Sequence, residues 1–122
     1  MNFSKHLHLI FISLFLISTA CEKRSEVVVK YIASESISDF EISWRNASGN
    51  LVTEIVAAQS LQDRWEYDFV ADQGQIVYIS GKYSDLNSSL RLMILIDGKI
   101  YKQGFSNGDT LKYLTVSGVV PY

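Results

Sequence analysis

From Phe40 to Arg45 the chain alternates with a period of two, and that alternation restricts what it can fold into. Phe40, Ile42 and Trp44 fall on one side, and Glu41, Ser43 and Arg45 on the other. The same pattern returns at Trp65, Tyr67 and Phe69, set against Glu66 and Asp68. Successive side chains of a strand point to opposite faces, so this spacing buries one face of a sheet and wets the other. A helix would need the apolar residues three and four apart, and most of the chain offers no such spacing.

Strand-like segments continue between turn signals. Residues 27–33 form an apolar, largely β-branched run, and residues 51–58 return from the turn cluster Asn46-Ala47-Ser48-Gly49-Asn50. Asp72-Gln73-Gly74 leads into a strand over 75–83. Residues 90–96 are apolar on both faces, which predicts a central strand. Asp97-Gly98 is the strongest hairpin signal, because both central residues of a type I′ turn need φ > 0. It returns through 100–104. Asn107-Gly108 reads as a second such turn, leading into 111–119, and Pro121 suits a strand end. One stretch is ambiguous: Ala57, Ala58, Leu61 and Trp65 lie at helical spacing within 54–65, which could hold a helical turn, but strand followed by loop is the expected reading. Roughly seven or eight short strands with regular turns predict an all-β, immunoglobulin-like antiparallel sandwich, with a small β-barrel as the other candidate.

The first twenty residues stand apart from this pattern. Lys5, an apolar run over 9–17 and the small residues Ser18-Thr19-Ala20 precede Cys21. That order reads as a bacterial lipoprotein signal, cleaved between Ala20 and Cys21 with lipid on the cysteine. Ser18 departs from it, since a leucine is usual there. A nine-residue helix spans about 14 Å, against a hydrocarbon core of roughly 30 Å, so a permanent membrane span is the weaker reading. An ordinary secretory signal is the other alternative. It would leave the single cysteine of the chain as a free thiol in an oxidising compartment. One acyl chain holds a protein only marginally, whereas two or more anchor it stably. The expected organisation is therefore a signal over 1–20, a lipidated and charged tether over 21–26, and one domain over 27–122. The tether lacks an acidic run, and a periplasm-facing domain is expected.

Charge and chemistry narrow the function classes. Eleven basic residues less Lys5 leave ten against thirteen acidic ones, a balance with no electrostatic footprint for nucleic acid. Both histidines, His6 and His8, lie in the signal. After cleavage the Ser-His-Asp and Cys-His arrangements and the usual zinc sites are excluded. Glu66 and Asp68 share a face roughly 6 to 7 Å apart, but solvated strand faces commonly carry acids, and a domain this small rarely encloses a glycosidase cleft. Asp85-Leu86-Asn87 and Asn107-Gly108-Asp109 could offer calcium oxygens, yet these are ordinary turn residues. Neither catalysis nor a cofactor or metal is expected. The aromatic residues remain. Trp44 shares its face with Phe40 and Ile42 and reads as core, and the alternation of Trp65, Tyr67 and Phe69 also says core. If any rings form an exposed contact patch, Trp65 and Tyr101 are the candidates.

Several segments in order carry a family resemblance: Val29-Lys30-Tyr31; Phe40-Glu41-Ile42-Ser43-Trp44-Arg45-Asn46 into Ser48-Gly49-Asn50; Trp65-Glu66-Tyr67-Asp68-Phe69; Gly74-Gln75-Ile76-Val77-Tyr78-Ile79-Ser80; and Leu92-Met93-Ile94-Leu95-Ile96-Asp97-Gly98-Lys99. Over about residues 27–106 the chain resembles the MmpS family of small membrane-tethered proteins. The resemblance implies a periplasmic sandwich that assists a large inner-membrane exporter. The family's usual anchor is a transmembrane helix, and its cysteine pair has no counterpart here. Two functions are expected on these grounds. One is a non-catalytic interaction or accessory module of a transport or envelope complex, docking through a strand edge or aromatic patch. The alternative is a periplasmic binder of a small lipid, glycan or hydrophobic ligand.

Overall fold

The structure is a computed structural model that describes residues 25–108 and 112–122. Eight strands follow in order: β1 (Glu26–Ser34), β2 (Phe40–Arg45), β3 (Leu51–Val56), β4 (Arg64–Asp72), β5 (Ile76–Lys82), β6 (Ser89–Ile96), β7 (Lys99–Asn107) and β8 (Tyr113–Val119). They form two four-stranded antiparallel sheets, β4-β1-β6-β7 and β3-β2-β5-β8. Each sheet ends in two edges, so the architecture is a sandwich and not a closed barrel.

The period-two pattern sets which residues meet between the sheets. Val29, Tyr31 and Ala33 from β1 face Phe40, Ile42 and Trp44 from β2, and all are buried. Val77 and Ile79 of β5 and Leu90, Leu92 and Ile94 of β6 fill the rest, each fully buried. Each such side chain contributes about 1.5–3 kcal/mol by leaving water. Residues 90–96 were expected to lie centrally, and β6 does run between β1 and β7.

Two turns fix register. Asn46 opens a type I turn in which Gly49 N donates to Asn46 O at 3.0 Å and Gly49 takes φ 83°. The Asn46 Oδ1 accepts from the Ser48 and Asn50 amides at 3.1 and 3.0 Å, and Asn46 N donates to Asn50 O at 2.9 Å. A type I turn closed by a left-handed glycine is a common three-residue hairpin loop. At the other hairpin Asp97 and Gly98 have φ 50° and 80°, as the type I′ expectation requires.

One sequence expectation holds and one is corrected. Residues 54–65 are strand then loop, as expected: β3 stops at Val56 and the chain loops to Arg64. Asp63 organises that loop, its Oδ2 accepting from the Gln59 and Ser60 amides at 2.9 and 3.2 Å. Asn107-Gly108 is not a left-handed hairpin turn. Asn107 is the last residue of β7, neither residue has positive φ, and the next strand belongs to the opposite sheet. Glycine is needed at 108 for close approach, because a Cβ there would collide with the Leu86 and Ser88 carbonyls.

Candidate contact surface

Ala20 and Cys21 lie outside the described residues, so the lipidation and cleavage positions have no place in this description. Trp65 and Tyr101 are both described, and neither is a free ring. Trp65 is half-buried on β4. Its ring centroid is 4.6 Å from that of Trp44, and its Nε1–H donates to Glu54 of β3. Tyr101 is half-buried on β7. Its hydroxyl donates to Val119 O at 2.8 Å and accepts from Val119 N at 3.3 Å. Each ring spans from an edge of one sheet to an edge of the other. Both rings are half-buried and bridge the two open sides of the sandwich.

The exposed surface with the most unusual composition lies elsewhere, on the outer face of β3-β2-β5-β8. The register lines up Thr53, Ser43, Ser80 and Thr115 in one row across all four strands. The strands are about 4.8 Å apart, so the row is a regular line of hydroxyls. Ser43 Oγ and Thr53 Oγ1 share a hydrogen bond of 2.8 Å. Ser80 is buried, Ser43 half-buried, and Thr53 and Thr115 exposed. A hydroxyl offers one donor and two acceptors, so the exposed members keep capacity for a ligand. On one side lie the pairs Leu51–Arg45 and Tyr78–Ser117, and on the other runs the row Ile55, Glu41, Lys82, Tyr113. Ile76 and Val119 pair beyond Tyr78 and Ser117.

Tyr113 leans over this lattice. Hydrogen bonds from Thr115, Tyr78 and Ser80 hold its phenol below the usual tyrosine range, with the Lys82 charge adding to them. Charges on the face are few. Lys82 Nζ lies 3.5 Å from Glu41. Arg45 has a buried Nε without a hydrogen-bond partner among the described residues. Three shallow grooves adjoin along this face. One of about 220 Å³ is lined by Ser43, Ser80, Tyr78 and Tyr113. Another of about 240 Å³ is lined by Arg45, Gly49, Leu51, Ile76 and Tyr78. The third, about 490 Å³, extends past Glu41, Ile55 and Lys82 to Asp39 and Ser84.

The outer face of β4-β1-β6-β7 carries ion pairs beside exposed Val28, Val70 and Phe105. Glu66 pairs with Arg64 and, at 3.9 Å, with Lys30. Arg91 pairs with Glu35 and lies 4.9 Å over the Phe105 ring. Glu66 and Asp68, the carboxylates singled out in the sequence, sit there in solvent. The hydrogen bond from Arg64, then the charges of Arg64 and Lys30, hold Glu66 below the ordinary carboxylate value. Among the described residues no three His, Cys, Asp or Glu side chains gather as a metal site, and no helix is long and apolar enough to cross a membrane. The hydroxyl row escaped sequence reasoning because its members come from four strands. Each is an unremarkable polar position of an alternating segment, and only the register aligns them. No family model matches the chain, and no curated protein does.

Proposed function

We propose that this chain is a lipid-anchored, non-catalytic module of a bacterial cell envelope, held on the periplasmic side through Cys21, and that it works by contact. Its contact surface in this reading is the outer face of β3-β2-β5-β8, offered to a protein of a membrane transport or envelope complex. The observation that carries the reading is a difference between the two outer faces. One sets the ion pairs of Glu66 and Arg91 among exposed Val28, Val70 and Phe105. The other exposes Leu51, Ile55, Ile76, Tyr113 and Val119 around a hydroxyl row. Exposed apolar groups rimmed by polar ones mark interaction sites. The resemblance to the MmpS family supports an accessory role beside an exporter.

A photo-crosslinking residue placed in the full-length protein at Ser43 or Tyr113, and separately at Asp68 on the opposite face, tests this in the native host. A discrete adduct is expected from positions 43 and 113 and not from 68. Equal adducts from both faces, or none, would overturn it. The Cys21→Ala variant should lose labelling by a fatty-acid analogue and lipoprotein-type processing.

One observation favours the second reading, a glycan ligand. Tyr78 and Tyr113 flank the hydroxyl row, which gives ring faces for sugar C–H groups beside donors and acceptors for sugar hydroxyls. Native mass spectrometry of the host-purified protein would then show a retained mass that disappears in Ser43→Ala/Thr115→Ala.

A further inference from the structure

The four sheet edges are not equally guarded. An unpaired edge is a template for another strand, and proteins blunt it with lysine, proline, bulges or covering groups. Edge β4 carries Arg64, Glu66, Asp68 and Asp72 on its outer face. Edge β7 carries Lys99 and Lys102 and meets β6 with a register shift at Ile94/Leu95. Edge β8 is capped at Val119 by the Tyr101 hydroxyl, and Pro121 follows it. Edge β3, Leu-Val-Thr-Glu-Ile-Val, has no lysine, arginine, proline or register shift. Its one charge, Glu54, is turned onto Trp65 Nε1 of the same molecule.

The hairpin fixes which β3 amides are free. Asn46 N donates to Asn50 O, and hydrogen-bonded pairs alternate along an antiparallel ladder. Trp44↔Val52, Ile42↔Glu54 and Phe40↔Val56 are therefore the bonded pairs. The N–H and C=O groups of Leu51, Thr53 and Ile55 point away from β2. The close Ser43–Thr53 hydroxyl contact agrees, because side chains approach most closely in the non-bonded pairs. The same alternation places the Val119 groups outward on β8, where Tyr101 takes them. Among the described residues no side chain bonds the outward groups of β3.

We infer that β3 pairs with the β3 of a second copy of this chain, antiparallel about a two-fold axis at Thr53. That register is self-complementary. Thr53 opposes Thr53 of the second copy, and Leu51 opposes Ile55 on either side of it. Threonine pairs and apolar cross-strand pairs both stabilise sheets. Leu51 and Ile55 are 63 % and 75 % exposed in the single chain and gain cover from each other. The three outward residues on each side supply about six backbone bonds. On the inner side each Glu54 stands opposite Val52 and not opposite its own copy. The interface is isologous and closes at two chains. It joins two four-stranded sheets into one and doubles the hydroxyl-bearing face. This inference rests on the edge alone and needs neither the proposed anchor nor the proposed partner.

Full-length protein carrying Thr53→Cys, oxidised in native membranes, tests it. The parent chain with Cys21 alone is the baseline. Thr53→Cys is expected to give a covalent dimer, because the bonded pair brings the two Cα atoms to about 5.5 Å. Leu51→Cys is expected to give none, because the two copies of position 51 lie roughly 13 Å apart. Leu51→Cys with Ile55→Cys should link again. Thr53→Pro removes an amide that points away from β2, so far-UV circular dichroism should be unchanged while self-association weakens on the order of tenfold or more. The pairing is overturned if Thr53→Cys gives no dimer, if Leu51→Cys links as fully, or if Thr53→Pro remains equally dimeric.

Discussion

Between β1, β4 and β2 the two sheets are spaced by rings, while between β5, β6, β7 and β8 they close on aliphatic side chains and glycine. In the first half Tyr31, Trp44, Trp65, Tyr67 and Phe69 form one connected cluster, with centroids 4.6 to 6.4 Å apart. Tyr31 pins the layers together. It rises from β1, donates to Arg45 O of β2 at 2.8 Å and accepts from Tyr78 N of β5 at 3.2 Å. In the second half a Cβ at Gly81 would stand 2.5 Å from Leu90 Cδ2, and one at Gly118 would stand 2.7 Å from the Tyr101 ring. Each half is shut by one half-buried aromatic, Trp65 or Tyr101. Trp65 joins a ring cluster, whereas Tyr101 works by lying flat where a side chain is missing. The same sandwich is thus sealed once by adding bulk and once by omitting it.

The contrast can be broken most severely on the ring side. Trp65→Ala strips the ring from Trp44 and frees Glu54, and should cost about 3 kcal/mol in denaturant unfolding. Alkaline pH attacks the same half. Burial pushes the Tyr31 hydroxyl up to about 12, partly offset by its bond from the Tyr78 amide. A raised folded value means that stability is fully present below pH 10 and is lost as pH rises from 10 to about 12. The loss amounts to about 2–3 kcal/mol. Unfolding followed across that range should show it, and Tyr31→Phe should remove this contribution.

The glycine side should yield less. Gly118→Ala must swing the Tyr101 ring aside, at about 1–2 kcal/mol. Tyr101→Phe keeps the ring and loses only its two bonds to Val119, at about 1 kcal/mol. If both variants cost the same, the hydroxyl and not the close packing is what seals that side. The smallest effect belongs to the charged outer face. Glu66 is held low by Arg64, so its contribution is present above the ordinary carboxylate pKa and is lost as pH falls through its depressed value. It is fully exposed, so Glu66→Gln should be nearly silent in thermal unfolding at high salt.

Some of this was legible in the chain. The limits of β2 follow from alternation alone, and Asp97-Gly98 carries its own turn geometry. The central place of β6 follows because an apolar run is best screened from water with a neighbouring strand on each side. The Asn107-Gly108 dipeptide misled because local propensity says nothing about which sheet the next strand joins. The cover of Trp65 and Tyr101 was not legible, because both lie on edge strands, where exposure depends on what the other sheet places opposite. The hydroxyl row and the unguarded flank of β3 belong to strand pairing, and single-strand periodicity contains no pairing information.

The position of β1 has a mechanical consequence. The described chain enters the domain directly at this strand, which is bonded to β4 over nine residue pairs and to β6 over six. Val28 is also clamped to the far hairpin, its amide donating to Asp97 Oδ1 and its carbonyl accepting from Asp97 N, each at 2.9 Å. A pull applied through residue 25 runs along the strand axis, so it loads both flanking ladders in shear at once rather than peeling them bond by bond. The segment nearest any tether is thereby the one best placed to carry tension without unzipping the domain.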